Sequence, residues 1–127
     1  MTIELQQDFD CPAADLWAVV GAPGRADWVP GVSECKFDGT VRRLTMEGAG
    51  EIAEQILGVD PETMSIQYSC IESQPPLESH LAEIQVLATG TASCRMIWKT
   101  SVEPVIVEPF IVRQMRASLL HLSEMLA

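Results

Sequence analysis

Residues 109–126 read PFIVRQMRASLLHLSEML, the longest stretch of the chain that carries no turn signal. Pro109 suits the first turn of a helix, where its missing N–H is not needed. Ile111, Met115, Ser118, Leu122 and Met125 recur at helical spacing as one stripe, widened by Leu119 and Leu126, while Arg113, Arg116 and Glu124 lie off it. At 1.5 Å per residue such a helix spans about 27 Å, enough to cross a small sheet. One apolar face on so long an element needs something to cover.

The residues ahead of it supply that surface. From Val32 to Val102 runs of about six to ten residues alternate with turn chemistry, the pattern of an antiparallel sheet. Asp38-Gly39 offers the positive φ of a tight hairpin, Gly48 and Gly50 mark a second reversal, and Asp60-Pro61-Glu62 a third. Ser73-Gln74-Pro75-Pro76 and Thr89-Gly90-Thr91 complete a set that divides the segment into six strands. Upstream, Ile3, Leu5 and Phe9 alternate with Glu4, Gln6, Asp8 and Asp10 as a further strand, with Gln7 its one irregularity. Pro12 then opens a short helix with Ala13, Leu16, Trp17 and Val20 at helical spacing. Gly21, Pro23 and Gly24 break it, and Asp27 to Gly31 reads as one more helical turn and a rigid loop. The expectation is an α+β fold over residues 1–127 as one domain. Two short helices follow the first strand, and a seven-stranded curved antiparallel sheet wraps around the long C-terminal helix.

Composition narrows the partners. A chain of 127 residues can build one core, and its 47% hydrophobic content includes no run near the ~18 residues a membrane span needs. The apolar excess must therefore line an interior. Eighteen acidic against eight basic residues give a net charge of -10, which repels phosphate backbones and anionic headgroups, so neither nucleic acid binding nor membrane insertion is expected. The acids are scattered, which reads as solubility. Cys11, Cys35, Cys70 and Cys94 are too widely spaced for a CxxC motif and read as packed thiols. His80 and His121 have no flanking carboxylate cluster, so no metal and no cofactor is expected. Residues 1–10 lack the basic start and apolar run of a secretory leader, which points to a cytoplasmic protein with reduced thiols. GxSxG, phosphate-loop, dinucleotide and HExxH motifs are missing too.

Period-two alternation assigns the faces of the strands. Met64, Ile66, Tyr68 and Cys70 share a face, as do Cys94, Met96 and Trp98, and His80 lies with Ala82, Ile84 and Val86. Arg42 falls in register with Leu44 and Met46, and Glu54 with Ile52 and Ile56, although Ala53 and Leu57 leave that strand less decided. One apolar face thus carries Arg42, Glu54, Tyr68, His80 and Trp98. A buried polar group without a partner costs about 1–3 kcal/mol, so these must pair with one another or meet a ligand or water. The plain alternatives stand beside this: an internal Arg42–Glu54 ion pair, a hydrogen-bonded core histidine, and aromatic residues that only pack. Met46, Met64, Met96 and Met115 are ordinary core residues that would also suit an adaptable lining.

Several short stretches carry a resemblance. They are Asp10-Cys11-Pro12-Ala13 with Leu16-Trp17, Trp28-Val29-Pro30-Gly31-Val32, Val41-Arg42-Arg43-Leu44, Glu54-Gln55-Ile56 with Asp60, Cys94-Arg95-Met96-Ile97-Trp98, and Leu119-Leu120-His121-Leu122. In this order and spacing the chain resembles the SRPBCC, or START-like, superfamily, particularly its polyketide cyclase/dehydrase and lipid-transport branch. The resemblance implies a helix-grip fold with a cavity between helix and sheet. Against plant abscisic acid receptors of the same superfamily, Glu54 resembles a cavity glutamate, His80 stands where a tyrosine would, and Ser118 resembles a ligand-facing asparagine. The receptors' Ser-Gly-Leu-Pro-Ala gate is replaced by Met46-Glu47-Gly48-Ala49-Gly50 and their latch by Gln74-Pro75-Pro76-Leu77, and the carboxylate-binding lysine has no counterpart. Only the pocket is implied, not hormone sensing.

Three functions follow as expectations. The first is binding of an apolar small molecule, such as a polyketide, sterol-like compound or lipid, by Trp28, Arg42, Glu54, Ile66, Tyr68, His80, Met96, Trp98, Met115 and Ser118, with Trp28 and Pro30 at the mouth. The second is a cyclase or dehydratase in which Glu54 and His80 move protons next to a carbonyl. The third is an interaction or co-chaperone-like module, whose trace would be an exposed apolar patch. Val105, Ile106 and Val107 are its continuous candidates and read more simply as a buried connection. The sequence leaves carrier and catalyst open, along with monomer or homodimer.

Overall fold

Alternating side chains and well-placed turn residues produce long antiparallel ladders. The computed structural model describes residues 2–127; Met1 lies outside them. Strand β1 spans Thr2–Phe9, helix α1 Ala13–Val20, and strands β2 to β7 span Val32–Phe37, Val41–Met46, Gly50–Asp60, Ser65–Glu72, Ser79–Gly90 and Ser93–Glu103. A single 3₁₀ turn, Val105–Val107, leads into helix α2, Glu108–Met125. The seven strands form one sheet in the order β1-β7-β6-β5-β4-β3-β2. Strands β2 to β7 therefore follow one another as a meander, and β1 closes the far edge by pairing antiparallel with β7. Outward-facing Asp8 bonds to Arg95 opposite it at 2.7 Å, and Glu4 lies 3.8 Å from Lys99 in the same register. Gly39 sits at φ +102° in the β2–β3 turn, where the Asp38 carboxylate accepts from the Thr40 and Val41 N–H groups.

One of the two expected short helices is absent. After α1 the chain crosses from one sheet edge to the other through isolated turns, in which Arg25 N–H bonds to Ala22 O and Val29 N–H to Ala26 O. Pro23, Gly24 and Pro30 leave too few consecutive helix-forming residues for a second nucleus. Met64 also departs from its expected place in β5: it precedes the strand in the left-handed region, at φ 51°.

The core explains the irregular Gln7. It occupies an inward position of β1, and its Nε2 donates to Ser123 Oγ and, at 3.3 Å, to Leu119 O, tying the last turns of α2 to the sheet edge. Helix α1 packs on β6 and β7, and Leu16, Val20, Ile66, Ile84, Met96 and Leu122 belong to one continuous apolar cluster. Helix α2 closes tightly on β1 and stands off from the middle of the sheet. No helix among the described residues is long and apolar enough to cross a membrane.

Candidate ligand-binding site

The gap under α2 is a cavity of about 400 Å³. Its roof is Ile111, Met115 and Ser118 of α2, and its floor includes Leu44, Ile52, Trp98 and Thr100 from the inner face of the sheet. Trp28 walls one side; Gly48 and Ala49 from the β3–β4 turn, Pro75 and Leu77 from the β5–β6 loop, and Phe110 at the start of α2 complete the enclosure. The helix is held in place at loop level as well: Gln114 Nε2 donates to Pro30 O at 3.0 Å, and His121 Nε2 lies 3.2 Å from Asp27 O. Ser118 has no free donor, because its hydroxyl bonds back to Gln114 O at 2.9 Å.

One polar cluster interrupts this apolar wall. Strands β3 and β4 place Arg42 opposite Glu54, and Arg42 Nε donates to Glu54 Oε1 at 2.7 Å. The guanidinium carbon stacks 4.6 Å from the centroid of the Tyr68 ring. Tyr68 Oη accepts from Trp98 Nε1 at 3.2 Å, and the Trp98 ring lies tilted against Trp28 with centroids 5.5 Å apart. Burial, reinforced by the Glu54 charge, pushes the Tyr68 phenol far above its ordinary range, so it keeps its proton. The buried Trp28 indole N–H meets no acceptor among the described residues.

His80 sits where the β5–β6 ladder ends. Its Nδ1 accepts the Cys70 backbone N–H at 2.9 Å, replacing a ladder bond, and Ser69 Oγ donates to its carbonyl at 2.5 Å. Burial holds the imidazole below its ordinary pKa against the opposing pull of Glu54. The ring is therefore neutral at pH 7, and with Nδ1 occupied as an acceptor its proton lies on Nε2.

Of the residues singled out in the sequence, Trp28, Arg42, Glu54, Tyr68, His80, Trp98, Met115 and Ser118 line the cavity. Ile66 and Met96 do not. Both face inward, but they lie at the other end of the inner face, fully buried in the core cluster that α1 covers. Alternation gives the face of a residue, not its distance along the strand from the helix above it. Val105 and Ile106 are likewise not a buried connection: they are 59% and 81% exposed at the approach to α2. Thr100, Ile52 and Gln114 line the cavity without having been picked out. Thr100 shares the parity of Trp98 and could have been found by extending the β7 count by two, whereas Gln114 shows no apolar signal.

The same architecture recurs in known proteins. The model of the family described as polyketide cyclase / dehydrase and lipid transport matches residues 1–126. The chain belongs to that family. An uncharacterized protein from Bacillus thuringiensis is 20% identical with a TM-score of 0.90, covering 99% of this chain and 98% of that one. Truncated norcoclaurine synthase from Thalictrum flavum is 26% identical with a TM-score of 0.78, covering 98% and 92%. The same enzyme is known in complex with dopamine and hydroxybenzaldehyde, with 26% identity, a TM-score of 0.74 and coverage of 98% and 85%. No curated protein sequence matches significantly. Membership in the polyketide cyclase/dehydrase and lipid-transport family makes small-ligand binding compatible with the fold and names no ligand.

Proposed function

We propose that this polyketide cyclase/dehydrase-family protein reversibly binds an apolar small molecule, such as a polyketide, sterol-like compound or lipid, between α2 and the sheet. The observation that carries this reading is the cavity of about 400 Å³, walled mainly by apolar side chains and interrupted by one polar cluster. That size and make-up suit a ligand site, with the polar groups orienting what the apolar wall holds. The relative from Thalictrum flavum, known in complex with dopamine and hydroxybenzaldehyde, supports a small-molecule role for this fold. The reading takes residues 1–127 as one ligand-binding domain, cytoplasmic, and a monomer or homodimer.

The cyclase or dehydratase alternative asks Glu54 and His80 to exchange protons with a substrate. Both line the cavity, but the geometry favours binding: the His80 lone pair is taken by Cys70 N–H, and Glu54 is held by Arg42. The interaction-module alternative has for its support exposed Val105 and Ile106 at the approach to α2, followed by half-exposed Phe110.

Equilibrium dialysis with fluorene, an uncharged aromatic hydrocarbon, tests the binding reading. The wild-type protein should retain it, and Ile52→Trp, which projects an indole into the space, should lose retention while keeping a cooperative thermal transition. Retention unaffected by the bulky side chain, or retention of neither fluorene nor its ketone fluorenone by the wild type, refutes the reading.

A further inference from the structure

The polar cluster is unbalanced toward donors. Arg42 is only 4% exposed, and within the described residues its guanidinium is bonded through Nε alone, to Glu54. Neither terminal amino group has an acceptor among the hydrogen bonds of the described residues. Tyr68 accepts from Trp98, which leaves its own O–H without an acceptor among the described residues. His80 carries its proton on Nε2, which likewise has none. Against these donors the cluster itself sets the Glu54 carboxylate, whose Oε1 is already bound to Arg42. Interior donors are nearly always satisfied, so such an array points to an oxygen supplied from within the cavity.

Charge decides what kind of oxygen. Arg42 and Glu54 cancel as a close pair with side chains 5% and 14% exposed, inside a molecule of net charge -10. A carboxylate arriving there would be a third, uncompensated charge removed from water, whereas a carbonyl brings lone pairs and no net charge. We propose that the cavity selects a ligand whose polar end is a neutral carbonyl, its oxygen received by the terminal amino groups of Arg42 with Tyr68 and His80 as flanking donors. This rests on the cavity being a ligand site and specifies the chemistry at its polar end.

Three planar probes of one skeleton test it: fluorenone, fluorene, in which CH₂ replaces the carbonyl, and fluorene-9-carboxylate. Affinities measured by equilibrium dialysis on the wild-type protein should place fluorenone about 10-fold or more ahead of fluorene, the scale of a hydrogen bond to a charged donor, and ahead of the carboxylate. In Arg42→Met/Glu54→Leu the ratio of fluorenone to fluorene affinity should collapse to about 3-fold or less, because both ionic partners leave together. Equal wild-type affinity for fluorenone and fluorene overturns the carbonyl assignment and leaves the cavity reading intact. Tightest binding of the carboxylate overturns the neutral-ligand assignment. Retention of no probe removes both readings. The wild-type series decides the matter even if the double variant does not fold.

Discussion

Arg42 and Glu54 show what a pair of interior charges does for a small sheet protein. With both side chains largely withdrawn from water, removing one partner leaves the other charge buried and uncompensated. Glu54→Ala should therefore destabilise by about 3–5 kcal/mol in urea denaturation, whereas Arg42→Met/Glu54→Leu should lie near wild type. Equal losses in the two variants would show that packing, not charge, is at stake. His80 adds a pH dependence. Its folded pKa is depressed by burial, so in the range from about 6.5 downward the unfolded chain binds a proton that the folded protein refuses. That contribution is complete above the unfolded value and is lost as pH falls toward the folded one. Melting temperature should decline from pH 7 to pH 5 more steeply for the wild type than for His80→Gln, in which an amide replaces the titrating ring; parallel curves contradict the assignment. The pairing of Arg42 with Glu54 was one of the alternatives open in the sequence, since parity puts both on the inner face. The Cys70–His80 bond was not legible, because nothing in a linear pattern marks where a ladder ends and a side chain takes over its N–H.

Elements were readable where their signals were regular. β5 to β7 alternate cleanly, and α2 keeps its stripe of Met115, Ser118, Leu119 and Leu122 buried. β4 was less decided for a physical reason: its pairing with β5 shifts between Ala53 and Glu54 and again between Ile56 and Gly58, and each bulge breaks the period of two. The segment after α1 carries a false helical signal, because Asp27, Trp28 and Val29 hold no local breaker while the prolines and glycines around them do. The end of α1 itself is fixed by a close approach. A Cβ on Gly21 would lie 2.5 Å from the Trp17 ring, far inside contact distance. Gly21→Ala should cost about 1–3 kcal/mol through displacement of the indole, read by thermal denaturation together with a shift in Trp17 side-chain NMR signals. An unchanged melting temperature and unmoved signals would mean that the ring turns aside freely.

At the scale of the whole molecule, α2 divides the inner face of the sheet into a packed half and an open half. One end of each inward row, with Ile66 and Met96, is filled by the core that α1 covers; the other end, with Tyr68, Trp98 and Thr100, faces the space beneath α2. The helix, the sheet and the inward residues were all visible in the sequence. The division between filled and open was not, since it depends on how far α2 stands from each strand. That division is the property from which a binding role follows, and it can be observed directly. In protein labelled at methionine, isoleucine and leucine methyl groups, intermolecular NOEs from bound fluorene should reach Met115, Ile111, Ile52 and Leu44, and should be missing at Met96 and Ile66. NOEs confined to outward-facing Leu81 and Leu87, or cross-peaks to Met96 and Ile66 as strong as those to Met115, would contradict the division.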